Sequence, residues 1–296
     1  MDGVIVVDKP EALTSHDVVN RVRRLVNTRR VGHLGTLDPM ATGVLPLLIG
    51  RATRLAQFFS TNEKEYDGTI RFGWATDTYD RTGTPASPAV EPGFSRAELE
   101  AILSGFRGAY LQTPPPFSAK KVSGTPAYRF ARKKIAVELE PVEVTVHELE
   151  LLEFDGAMAR IRVRCSAGTY LRSIAHEAGQ RLGCGAFLQA LRRTRSGDFK
   201  EDQAYELEQL EKLSETGNLD SALIPASILL PHLPNATVDS LTAGQIRQGR
   251  DFRLSPFLNR ANTKYIKAIS QEGELIAIGE ARLPHLYHPI LVLRTD

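Results

Sequence analysis

The chain has 296 residues, is 42% hydrophobic and 24% charged, and carries a formal net charge of +2; these values exclude a disordered or fibrous chain and allow one large domain with a small one beside it. Apolar runs such as residues 43–50 are too short to cross a membrane, and that one carries Pro46. Met1-Asp2-Gly3-Val4 does not open a secretory signal, and two cysteines, Cys165 and Cys184, are too few for a disulfide scaffold, so the sequence predicts a cytoplasmic protein.

In chain order, residues 3–7 read as a short buried strand. Ser15 is placed to N-cap a helix in which Val18, Val19, Val22, Leu25 and Val26 recur at helical spacing, with arginines on the opposite face. Residues 31–43, rich in Gly, Thr and Pro, predict a loop; a strand over 44–49 and a short helix over 52–59 follow. Residues 65–74 alternate as a half-buried strand with Tyr66, Ile70, Phe72 and Trp74 on one face. Ser95-Arg96-Ala97-Glu98 is a capping box for a helix ending near Gly105. Pro114-Pro115-Pro116 interrupts regular structure, and the basic stretch after it reads as a loop with a short helix. Residues 142–154 and 157–165 form a strand pair; in the second, Ala159, Ile161, Val163 and Cys165 face one way and Arg160, Arg162 and Arg164 the other. A helix over 169–182 carries an apolar stripe through Leu171, Ile174, Ala175 and Ala178, with Gly183 at its C-cap. Composition shifts near Pro231 to Pro234. Beyond it, 263–270 and 274–281 read as a hairpin around Glu272-Gly273, and 290–293 as a last strand.

Net charge hides a segregation. Residues 18–62 contain seven arginines (Arg21, Arg23, Arg24, Arg29, Arg30, Arg51 and Arg54) and one acid, Asp38, where the chain average gives about five acids. Residues 101–137 contain no acid and carry Arg107, Lys120, Lys121, Arg129, Arg132, Lys133 and Lys134, while acids gather over 201–220. Two such segments suggest a cationic face for a polyanion. Asp38 itself fits two readings: an Asx-turn before proline, or a carboxylate kept ionised by surrounding cations and placed for nucleophilic or base chemistry. Cys165, His176 and Cys184 match no common zinc-ligand spacing.

The segment Gly32-His33-Leu34-Gly35-Thr36-Leu37-Asp38-Pro39-Met40-Ala41-Thr42-Gly43-Val44-Leu45-Pro46 resembles the signature of the TruB family of tRNA pseudouridine synthases. Further segments resemble that family in ordered succession between Gly3 and Phe199: Lys9-Pro10, Thr14 to Val19, Lys64-Glu65-Tyr66, Gln112-Thr113-Pro114-Pro115, Ser118-Ala119-Lys120-Lys121 with Tyr128, Cys165 to Ser173, and Leu191-Arg192-Arg193-Thr194. The resemblance implies an α+β fold: a mixed, largely antiparallel sheet in a catalytic domain over 1–230, an RNA-clamping insertion over 101–141, and a small β-barrel-like (PUA-like) module over 235–296. It implies isomerisation of uridine 55 in the tRNA T-loop to pseudouridine, with the base flipped into a cleft and with no cofactor or metal. Asp38 matches the catalytic aspartate; Tyr66 an active-site tyrosine that stacks on the uracil; Arg172 the arginine paired with the aspartate; Tyr170 and Leu191 the base-pocket lining; His33 the histidine that helps splay the nucleotide out. Lys120, Lys121, Arg129, Arg132 and Arg192 are expected on the RNA backbone. Phe117 stands where the family more often has tyrosine. The guide-RNA-dependent relatives share these motifs but carry longer flanking extensions, so a stand-alone enzyme acting on tRNA without guide RNA or protein partner is expected, with an accompanying tRNA-folding role open to it.

Overall fold

The structure is a computed structural model that describes residues 1–118, 120–122, 124–133, 135, 137–254 and 263–293. Strands Gly3–Lys9 and Thr42–Ile49 are apolar along nearly their whole length, which suits strands covered on both faces. They pair antiparallel from Gly3 with Ile49 to Lys9 with Gly43. The main sheet has ten strands, and its path runs Ile224–Pro225, Gly3–Lys9, Thr42–Ile49, Ala186–Ser196, Lys64–Phe72, Met158–Cys165, Val142–Phe154, Gly108–Gln112. Thr42–Ile49 and Ala186–Ser196 run parallel, meeting at Thr42 with Arg192 and Gly43 with Arg193; the other strand pairs of this path are antiparallel. Gly43 is required at that junction. Its φ is +98°, and a Cβ would lie 2.3 Å from the Arg193 carbonyl oxygen.

Helices Ser15–Leu25, Arg96–Ser104, Leu171–Arg181 and Leu207–Glu215 contribute to one core cluster with Ile5, Val7, Leu45, Leu47 and Ile161 of the strands. The alternate residues Val4, Val6, Val44 and Leu48 enter a second cluster, shared with the 3₁₀ helix Gly50–Phe59 and with Ile269, Ile278 and Leu291 from the C-terminal part. That part is a five-stranded sheet in the order Asn235–Thr237, Tyr265–Ile269, Leu275–Leu283, Leu286–Val292, Phe252–Arg253, with helix Ser240–Arg247. Lys267, buried in it, donates through Nζ to the carbonyls of Ser227 and Leu229. No helix among the described residues is long and apolar enough to cross a membrane.

Several expectations change in detail. The first helix is capped by Thr14, not Ser15: the Thr14 hydroxyl accepts from the Asp17 amide, and Asp17 closes a capping box. Ser15 is freed for another bond, described below. The loop expected over 31–43 begins with a short strand, Val31–His33, paired to Thr42–Ile49. The last strand begins at Leu286, earlier than its apolar end suggests. Strand Ala186–Ser196, central in the sheet, was not expected, and neither were Gly108–Gln112 nor helices Leu207–Glu215 and Ser240–Arg247.

Candidate active site

The signature loop is fixed from three sides before any side chain in it can act. Ser15 Oγ accepts from the Leu37 amide (2.8 Å) and donates to the Leu37 carbonyl (3.1 Å). Lys9, fully buried, donates through Nζ to the carbonyls of Pro10 (2.8 Å), Pro39 (3.3 Å) and Ala41 (2.6 Å). Arg193, also buried, donates from Nε to the Val44 carbonyl (2.7 Å) and from Nη2 to the Gly35 carbonyl (3.1 Å). Two buried cations thus serve as staples that gather main-chain oxygens of the loop. Burial pushes the Lys9 ammonium down to about 8.

Asp38 emerges from this loop into a cleft of about 480 Å³ whose walls include His33, Lys64, Tyr66, Tyr170, Arg172 and Leu191. Arg172 Nε stands 2.8 Å from Asp38 Oδ2, and its Nη2 donates to Oδ1 at 3.1 Å. The guanidinium is held from behind: Nη1 donates to the Thr78 carbonyl (3.1 Å) and faces Asp80 Oδ2 (3.4 Å), and Nη2 also donates to the Phe117 carbonyl (3.0 Å). A planar fork with this many fixed partners has one orientation. Burial raises the Asp38 carboxyl above the ordinary range; Arg172 opposes the rise and Asp80 adds to it.

Asp80 was missed in the sequence. It is buried and accepts from the hydroxyls of Thr78 (2.8 Å) and Thr82 (2.6 Å) and from the Thr82 amide (2.9 Å). The only cue was a turn-forming stretch, Thr76-Asp77-Thr78-Tyr79-Asp80, and such stretches are common on surfaces. The turn is stitched to the central strand: the Leu188 amide donates to the Tyr79 carbonyl and the Arg81 amide to the Leu188 carbonyl. The Tyr79 ring stacks on His176 with centroids 3.6 Å apart.

The other expected residues divide. Tyr66 is buried beside Arg193 on the alternating strand Lys64–Phe72, and burial pushes its phenol above the usual range. Leu191 reaches the cleft between two irregularities in its strand, after Leu188 and after Arg193. Tyr170 stands at the N-cap of helix Leu171–Arg181, where its amide donates to Gln112 Oε1 (2.8 Å) and its carbonyl accepts from Gln112 Nε2 (3.1 Å). His33 is half-buried, its Nδ1 enclosed without a partner among the described residues; desolvation first and Arg193 second hold its ring below the ordinary histidine range. Lys120, Lys121, Arg129 and Arg132 form no ion pair among the described residues, and Arg132 lies over the Tyr128 ring (5.4 Å). Arg192 lies outside the cleft, paired with Asp8 (2.7 Å) and Glu201 (2.5 Å). Ala119 of the Ser118-Ala119-Lys120-Lys121 motif and Lys134 of the basic stretch lie outside the described residues. No cluster of three or more His, Cys, Asp or Glu suited to a metal ion occurs among the described residues.

The mixed-sheet fold is shared with solved structures. A chain of the archaeal box H/ACA sRNP Nop10-Cbf5 complex superposes with a TM-score of 0.71 at 27% identity, over 99% of this chain and 86% of that one. The sequence matches the TruB family pseudouridylate synthase N-terminal domain over residues 23–171 and the tRNA pseudouridylate synthase B C-terminal domain over 172–231. The tRNA pseudouridine synthase B of Solibacter usitatus is 59% identical over 293 residues, covering 99% of this chain and all of that protein; its namesake from Opitutus terrae is 48% identical over 233 residues, 79% of this chain and 96% of that protein. The chain therefore belongs to the TruB family of pseudouridylate synthases.

Proposed function

We propose that this chain isomerises uridine 55 in the T-loop of tRNA to pseudouridine, acting without guide RNA or an obligate protein partner. The observation that carries the reading is the Asp38–Arg172 ion pair, its arginine held by the carbonyls of Thr78 and Phe117, in a cleft of about 480 Å³. The relatives at high identity over nearly their full length are tRNA pseudouridine synthases. Asp38 acts as nucleophile or base, relieving the charge that develops as the glycosidic bond breaks and the uracil turns to rejoin through carbon 5. Arg172 orients that carboxylate. Tyr66, Tyr170 and Leu191 receive the extruded base, and His33 helps splay the nucleotide out of its loop.

Residues 1–230 serve as the catalytic domain, 101–141 as its RNA-clamping insertion and 235–296 as an RNA-binding module. Lys120, Lys121, Arg129 and Arg132 supply backbone contacts; Arg192, already held by two carboxylates, contributes least. An accompanying tRNA-folding role draws support from Arg21, Arg24, Arg29 and Arg30, none within ion-pair distance of a carboxylate among the described residues.

Purified protein incubated with an unmodified tRNA transcript and no added cofactor should yield pseudouridine at position 55, read by mass spectrometry. Asp38→Asn should lower the single-turnover rate by about three orders of magnitude or more. A transcript left unchanged by wild type would sink the enzymatic reading; full activity in Asp38→Asn would sink the assigned role.

A further inference from the structure

One cation lining the cleft has no assigned task. Lys64 opens the strand that carries Tyr66, two residues away and therefore on the same face. It is 7% exposed, it lines the cleft, and among the described residues it has neither a hydrogen bond nor a carboxylate within ion-pair distance. The adjacent acids are committed elsewhere: Glu63 to His147 and Arg164, Glu65 to Arg195. The Lys64 stem lies beside Gly35. A Cβ placed on Gly35 would be 3.6 Å from Lys64 Cε and 3.5 Å from Arg193 Nη1, so the lysine stem and the guanidinium approach the loop at the same point.

Lys9 and Arg193 are also buried, yet each is surrounded by carbonyl oxygens that account for its burial. Lys64 has none. Its stem is buried and its ammonium is left to the cleft, partly stripped of water, so an anion entering there would gain more from it than from a surface lysine. Desolvation first, and Arg193 second, push its ammonium down to about 8, a shift that an arriving anion would reverse. The polyanion this protein acts on carries a phosphate on either side of each sugar. With the base at Asp38 and Tyr66, the sugar's own phosphates must pass along the remaining walls.

We propose that Lys64 seats one backbone phosphodiester of the nucleotide whose base enters the cleft, in the positive field of the neighbouring Arg193, whose own nitrogens are held by the carbonyls of Val44, Thr36 and Gly35. The site rests on the proposed action on RNA and adds to it a point of attachment for the flipped nucleotide. Its role is to hold the nucleotide out of its stack after extrusion, by a charge-assisted bond made only in the flipped state.

The test is a two-way cycle read as affinity, in the Asp38→Asn background so that RNA is bound and not converted. T-stem-loop RNAs carry a neutral methylphosphonate in place of one phosphate at a time, around the target uridine. Lys64 protein should lose about tenfold in affinity at one such position. Lys64→Met, which keeps the length of the stem, should bind the unmodified RNA about tenfold more weakly and lose nothing further at that position. Lys64→Arg should restore both the affinity and the position-specific loss, which separates a charge effect from a folding defect. Equal losses from every methylphosphonate in Lys64 and Lys64→Met proteins would overturn the site. Because binding is read rather than turnover, failure of this site and failure of the proposed reaction are separate results.

Discussion

Asp38 sits between charges of opposite sign, and the balance sets the pH range in which it can act. Arg172 favours its ionised form, whereas burial and Asp80 favour the protonated one. A nucleophile or base must be ionised, so activity declines as pH falls through the raised carboxyl value. Arg172→Met removes the opposing cation, so the acid limb should move to higher pH while the plateau rate falls about a hundredfold through lost orientation. Asp80→Asn removes a like charge, so its acid limb should move to lower pH. Single-turnover rates across pH measure both, and limbs moving in the same direction would refute the assignment. The elevation also means that the folded chain binds this proton more tightly than the unfolded chain. Asp38's contribution to stability therefore declines as pH rises between the two values.

At the scale of elements, the parallel junction between Thr42–Ile49 and Ala186–Ser196 is the geometric origin of the site, and Gly43 is its narrowest point. Gly43→Ala places a methyl against the Arg193 backbone at a left-handed φ and should destabilise by about 2–3 kcal/mol or more, measured by urea unfolding. The sequence made much of this level legible. Strand Lys64–Phe72 alternates buried and half-buried residues throughout, and the capping box at Ser95 closes as expected. The loop bearing Asp38 could be located because Gly, Thr and Pro leave few alternatives. Strand Ala186–Ser196 was illegible for a physical reason. Its register shifts twice, which breaks the period of two, and its buried Arg193 is satisfied by carbonyls from a distant loop, which composition cannot register. Asp80 was hidden likewise: its partners are threonines in its own turn and an arginine far along the chain.

For the whole molecule, the C-terminal sheet is fastened rather than tethered. Ile278 and Leu291 enter the same core as Val4 and Leu48, Lys267 bonds two carbonyls of the preceding segment, and Arg54 donates to the Val292 carbonyl. Urea unfolding should therefore be one transition by both far-ultraviolet circular dichroism and Trp74 fluorescence. Truncation after residue 233 should lower the melting temperature by several degrees, because it uncovers that shared apolar surface. Two separate transitions in the intact chain would contradict the shared core.

The parallel junction also has a consequence for biosynthesis. Gly43 meets Arg193, a residue that leaves the ribosome about 150 residues later. Until then the Asp38 loop lacks the guanidinium that staples it, and Arg172 and Leu191 are likewise still to come. Contacts of such long sequence separation form late, because the intervening chain must first be closed into a loop. The segment bearing Asp38 is thus synthesised well before its site can be completed, and competence arrives only when the strand ending at Ser196 enters the sheet.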